Sequence, residues 1–149
     1  MKVLAVGLWL LASGCWGCDT IGIANNNPGN LRVGRCQWES AIGQNEHGHL
    51  IFAEPKDGLV ALRKVLVTYK KKYHIQTLER LTGRWTSPRS SQEKKRGYLK
   101  SLRQQMGARP GQKYDFAEPR TARRLAKAII WSENSCDPYP DSLYETVFQ

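Results

Sequence analysis

Apolar residues recur at helical spacing along most of this chain, most clearly in RTARRLAKAIIWSENSC at residues 120–136. Written as a helix, this stretch sets Ala122, Leu125, Ala126 and Ile129 on one stripe, the i, i+3, i+4, i+7 pattern of a core-facing surface. Pro119 suits a first helical position, where its missing N–H costs nothing. Asn134, Ser135 and Pro138 predict the end. A second helix is predicted over residues 57–73, with Leu59, Leu62, Leu66, Tyr69 and Tyr73 inward and Lys70, Lys71 and Lys72 near its exit. Thr77 caps a short helix through Arg84, broken by Thr86-Ser87-Pro88. Ser90-Ser91-Gln92-Glu93 reads as a capping box that opens a helix to Met106, closed by Gly107. Leu31-Arg32-Val33 and residues 49–53 read as short strands. The C-terminal residues 142–148 read as a last helical turn or a disordered tail. The pattern predicts a mainly α, α+β fold in one domain.

Two polar features interrupt these patterns. The stripe of the 120–136 helix continues into Glu133, so an apolar face ends in one carboxyl group. A carboxyl held against apolar neighbours resists ionisation and suits a general acid. The alternative is a solvated last-turn residue, the commoner fate of a glutamate. The second feature is IGIANNNPGNLRVGR at residues 21–35, dense in turn formers and side-chain amides. Asn26, Asn27 and Asn30 are candidates to bind N-acetyl or hydroxyl groups of a sugar; a plain turn is the competing reading. Trp38 serves either as a stacking platform or as a core anchor. His47 and His49 lack a clear third ligand, so no metal site is assigned.

Charge and the N-terminus narrow the setting. The chain has 149 residues and a net charge of +10, which favours anionic partners: nucleic acid, lipid headgroups or acidic cell-wall polymers. Met1-Lys2 precedes VLAVGLWLLASG, a run of signal-peptide length, giving a leader over residues 1–17 and a domain over 18–149. Leu11-Ala12-Ser13-Gly14-Cys15 resembles a lipobox, which would lipidate Cys15 and anchor the chain to a membrane; ordinary cleavage after Gly14 or Gly17 competes. Either route predicts an exported protein, in the periplasm or at a membrane. Export argues against nucleic acid as the partner, and no recognised nucleic-acid-binding motif is present. The spacing Cys15-x-x-Cys18 straddles the processing region and has no second pair at zinc-finger spacing. A disulfide between Cys36 and Cys136 is the preferred pairing, closing a loop of about 100 residues.

GIANNNPGNLR, FAEPKDG before an amphipathic helix, RWTSP, and LAKAIIWSEN with a following Pro138-Tyr139 together resemble the NNPGN-type proteins of phages and prophages. The resemblance covers about residues 20–145. It implies a virion role and contacts with other virion proteins. A second similarity, to lysozyme-like enzymes such as lytic transglycosylases and glucosaminidases, rests on AIIWSENSCDP as a catalytic-glutamate helix and on NPGNLR with the segment Glu54-Pro55-Lys56-Asp57-Gly58. The glutamate helix comes last here rather than first, which implies a circularly permuted lysozyme-like domain. Ser135 and Cys136 depart from the usual Glu-Asn-Gly.

The similarity implies cleavage of peptidoglycan glycan strands, with Glu133 as general acid. Glu54 leads the candidates for a second carboxylate, ahead of Glu39, Glu46 and Asp57. Trp38 and Trp85 would line the cleft, and Glu133 and the 25–30 loop would face each other across it. No cofactor is implied. The alternative is a non-catalytic virion or envelope protein that binds peptidoglycan or a protein partner.

Overall fold

The computed structural model describes residues 18–34 and 38–149. The leader, the lipobox with Cys15, and Cys36 lie outside the described residues. In chain order the elements are α1 (Ile21–Ala24), β1 (Ala41–Gln44), β2 (Leu50–Phe52), α2 (Pro55–Tyr73), α3 (Leu78–Trp85), α4 (Gln92–Met106), α5 (Pro119–Asn134) and α6 (Asp141–Val147). The fold is mainly α with one small sheet, as the periodicity predicts.

Helix α5 carries the core. Leu125, Ile129 and Ile130 are fully buried against Leu59, Leu62 and Leu66 of α2 and Leu102 of α4. Each such side chain contributes roughly 1.5–3 kcal/mol by leaving water. α5 starts at Pro119, and Glu118 caps it by accepting from the N–H groups of Arg120 (2.9 Å) and Thr121 (2.7 Å). It ends where Ser135 turns left-handed, at φ 56°.

Other boundaries shift slightly from the sequence reading. α2 begins at Pro55, which fits the first turn, two residues before Asp57. Ser91, rather than Ser90, caps α4, accepting from Lys94 N at 3.2 Å. Residues 141–147 form a helix whose Tyr144 and Val147 are buried, while Arg63 donates to the carbonyls of Val147 and Gln149.

The sheet is a two-stranded antiparallel hairpin pairing Ala41 with Phe52 and Gln44 with Leu50, with a bulge between Ala41 and Gly43. Asn45 closes its turn by accepting from the N–H groups of His47 and His49. β1 escaped the sequence reading because Ala41-Ile42-Gly43-Gln44 has little β-branched content and is mostly exposed. The expected strand Leu31-Arg32-Val33 makes only a single bridge, Arg32 to His49. Leu31, Leu50, Phe52 and Ala61 form a second small core under Trp38.

A disulfide joins Cys18 to Cys136, with Cα atoms 5.9 Å apart. This corrects the expected pairing of Cys136 with Cys36. The reason is local: the Thr20 hydroxyl donates to Asn134 Oδ1 at 2.5 Å, which brings the chain before α1 beside the exit of α5. Loop entropy could not have chosen between the partners, since closing either loop costs the same to within about 0.2 kcal/mol. No helix among the described residues is long and apolar enough to cross a membrane.

Candidate functional site

The asparagine-rich loop is built from its own backbone outward. Asn26 sits at φ 52° and donates through Nδ2 to the carbonyls of Phe52 and Ala53, both at 3.0 Å. Asn27 is fully buried. Its Nδ2 donates to the carbonyls of Leu31 (2.8 Å) and Leu50 (2.9 Å), and its Oδ1 accepts from Leu31 N (2.9 Å). Every polar atom of that amide is therefore engaged, as a buried amide requires. Helix α2 abuts this loop so closely that a Cβ on Gly58 would lie 1.9 Å from the Asn26 carbonyl oxygen. From the other side, Asn134 donates to the Pro28 carbonyl at 2.8 Å and fixes the loop to the end of α5.

Asn30 differs from its neighbours. It turns left-handed, at φ 50°, and its Nδ2 donates to Glu133 Oε2 at 3.1 Å. Trp85, the last residue of α3, donates from Nε1 to Glu133 Oε1 at 2.8 Å. Both oxygens of the half-buried Glu133 are thus held by neutral donors from two separate elements. The Tyr98 hydroxyl of α4 is buried beside this carboxyl with no well-aligned partner of its own. Burial, then the Glu133 charge, pushes the Tyr98 phenol well above its usual range, so it stays a neutral hydroxyl.

Glu133 opens into a groove of about 1330 Å³. Trp38, Glu39 and His49 line it from the hairpin side, and Arg84, Trp85 and Lys94 from α3 and α4. His49 Nδ1 is buried without a partner. Burial lowers the His49 pKa, with Arg32 and His47 adding to the effect and Glu133 opposing it. The ring is therefore a neutral imidazole at pH 7.

Of the residues singled out from sequence, Glu133, Asn30, Trp38 and Trp85 come together on this groove. Asn26 and Asn27 do not line it; their amides serve the loop itself. Glu54 is exposed at the N-cap of α2 and does not line it. Glu39, a lesser candidate, does. The loop and the acid were expected to face each other across a gap. Instead Asn30 touches Glu133, so they belong to one wall. Tyr98 and Arg84 were missed as site residues. Tyr98 reads from sequence as an inward core residue of α4, and only the packing of α3, α4 and α5 puts its hydroxyl beside Glu133.

A comparison with known protein families finds no match. Over 125 residues the chain is 29% identical to Protein P5 of Pseudoalteromonas phage PM2, a match covering 79% of this chain and 73% of that protein. The chain is thus similar to a phage protein, in agreement with the phage side of the resemblance carried by GIANNNPGNLR.

Proposed function

We propose that the groove binds a glycan strand of peptidoglycan and that Glu133 is the general acid that cuts it. The observation that carries this reading is the setting of Glu133: one carboxyl, held at both oxygens by Trp85 and Asn30, on a groove that also presents Trp38. In the reaction the Glu133 carboxyl gives its proton to the glycosidic oxygen as the C1–O bond breaks, and the bonding pair leaves with that oxygen. A hydroxyl of the same sugar then closes on C1 and returns its proton to the Glu133 carboxylate, giving an anhydro end. This single-acid route fits a groove from which Glu54 is absent. With Glu39 as a second carboxyl and water as acceptor, the product would be a reducing end.

A second reading has its own support. Similarity to a phage protein favours a virion component that grips peptidoglycan or a protein partner without cutting it. The full engagement of both Glu133 oxygens suits a structural carboxyl as well. In either reading the Cys18–Cys136 disulfide supports a location outside the reducing cytoplasm, such as the periplasm or the virion.

Purified protein incubated with bacterial sacculi separates the two. Release of soluble muropeptides that disappears in Glu133→Gln establishes the enzyme, and anhydro ends on the products specify the single-acid route. Sacculus binding with no release, equal in Glu133→Gln, establishes the binder and ends the catalytic reading.

A further inference from the structure

The groove carries a charged feature that the cleavage chemistry does not use. Arg84 lines it, one residue from Trp85. Its guanidinium lies 3.5 Å from the centroid of the Tyr73 ring and 5.5 Å from that of Tyr69. Tyr69 in turn meets Trp85 edge-on, with centroids 6.3 Å apart. Among the described residues no carboxylate pairs with Arg84, whereas Arg103 and Lys127 both have acidic partners. A guanidinium resting on an aromatic face keeps its N–H edge oriented, and although the Tyr69 hydroxyl stands close to that edge, five N–H groups leave others open to a ligand. That edge suits a carboxylate, which it can hold through two parallel bonds. Lys64 and Lys94 add positive charge to the same groove, against the carboxyls of Glu39 and Glu133.

We infer that Arg84 forms a carboxylate-binding subsite in the groove that holds Glu133, the residue by which this groove would tell peptidoglycan from a neutral N-acetylglucosamine polymer. This rests on the glycan reading above and adds the residue, and the substituent of the strand, through which the groove would select its ligand. Two carboxylates in peptidoglycan could fill the subsite: the lactyl carboxyl of a sugar without a peptide stem, or, where a stem has turned that carboxyl into an amide, the carboxylates of the stem. Their chemistry toward Arg84 is the same.

The test is a binding titration in the Glu133→Gln background, so that no probe is consumed, at fixed salt. The probes are chitotetraose, a tetrasaccharide of alternating N-acetylglucosamine and N-acetylmuramic acid with free lactyl carboxyls, its methyl ester, and the same tetrasaccharide with peptide stems. The free acid should bind about tenfold more tightly than chitotetraose or the ester. Arg84→Gln should remove that preference and leave chitotetraose affinity unchanged. Lys100→Gln, which removes the same charge away from the groove, should keep it. If the stem-bearing probe binds as tightly as the free acid, the stem carboxylates fill the subsite; if it binds like the ester, the lactyl group does. Equal affinity for acid and ester, a preference that survives Arg84→Gln, or no binding of any glycan overturns the inference. Preference without sacculus cleavage would sink the proposed activity alone, and cleavage without preference would sink the subsite alone.

Discussion

Asn27 and Asn30 stand in one loop and face opposite ways. The first turns inward and spends its whole amide on the chain that surrounds it; the second turns outward and places an N–H on Glu133. The same division recurs at the end of α5. Asn134 is buried and ties the helix to Thr20 and Pro28, while Glu133, its neighbour, faces the groove. One set of amides builds a rigid hub, and one acid with its donors uses the rigidity. Residue type therefore says little about role here. What decides is whether a side chain's hydrogen bonds close on its own backbone or end on a group that faces solvent.

The hub should be the fragile half. Gly58→Ala is expected to be the most damaging single change, because the new Cβ would lie 1.9 Å from a backbone oxygen of the loop and neither partner is a free side-chain tip. We expect a loss of roughly 3–4 kcal/mol in urea unfolding. A loss below about 1 kcal/mol would mean that the loop yields easily and is no rigid platform.

Next in size is the contrast between the two asparagines. Asn27→Ala leaves the Leu31 N–H without its acceptor in the interior. It also takes one donor each from the carbonyls of Leu50 and of Leu31, the latter still accepting from Leu50 N, and should cost about 2–3 kcal/mol. Its muropeptide release per folded molecule should stay near wild type. Asn30→Ala should cost only about 1–2 kcal/mol, most of it from placing alanine at the left-handed φ of 50°, since its partner carboxyl can reach water. Its release, on the proposed mechanism, should drop by about tenfold as Glu133 loses one of its two guides. Were both variants to lose stability and release in step, the division between hub and groove would be wrong.

Sequence exposed the division only in part. Helical periodicity located α2, α4 and α5 because their apolar stripes are long, and it placed Glu133 on the stripe's last turn. The cluster Asn25-Asn26-Asn27 advertised a turn but not the direction of each amide, which depends on left-handed φ values at Asn26 and Asn30 and not at Asn27. The partner of Cys136 was equally hidden, since the contact between Thr20 and Asn134 spans nearly the whole chain. Sequence offers Trp85 as a residue lining the cleft, yet what it contributes to Glu133 is its indole N–H. Nothing in the sequence separates Arg84 from the other cations of a basic chain; the Tyr69 and Tyr73 rings fix where it lies.

The smallest expected effect concerns what holds the groove's outer wall. Arg84 and Trp85 ride on α3, and Tyr98 rides on α4. The two helices are clamped by Glu79, which accepts from Arg103 at 2.5 Å and from Gly111 N at 2.9 Å. Partial burial opposes the Glu79 charge, but the Arg103 bond and the Gly111 N–H outweigh it and lower its pKa from 4.5 to about 2. A depressed carboxylate stabilises the fold above its unfolded pKa. That stabilisation is lost as pH falls from about 4.5 toward 2, where Glu79 takes up its proton. The side chains remain about one third exposed, at 33% and 32%, so solvent screening should hold the contribution to roughly 1 kcal/mol. Glu118, held by its bonds to Thr121 and Arg120, and Asp141, paired with Lys127, also have lowered pKa values and steepen the same acid limb. The informative quantity is therefore a difference: unfolding free energy against pH for wild type minus that for Arg103→Gln. It should be flat above about pH 5 and shrink by roughly 1 kcal/mol between pH 4.5 and 2, less at high salt. Parallel curves would show that the pair contributes nothing, and that the wall beside Glu133 is held by the apolar contacts of α3 and α4 alone.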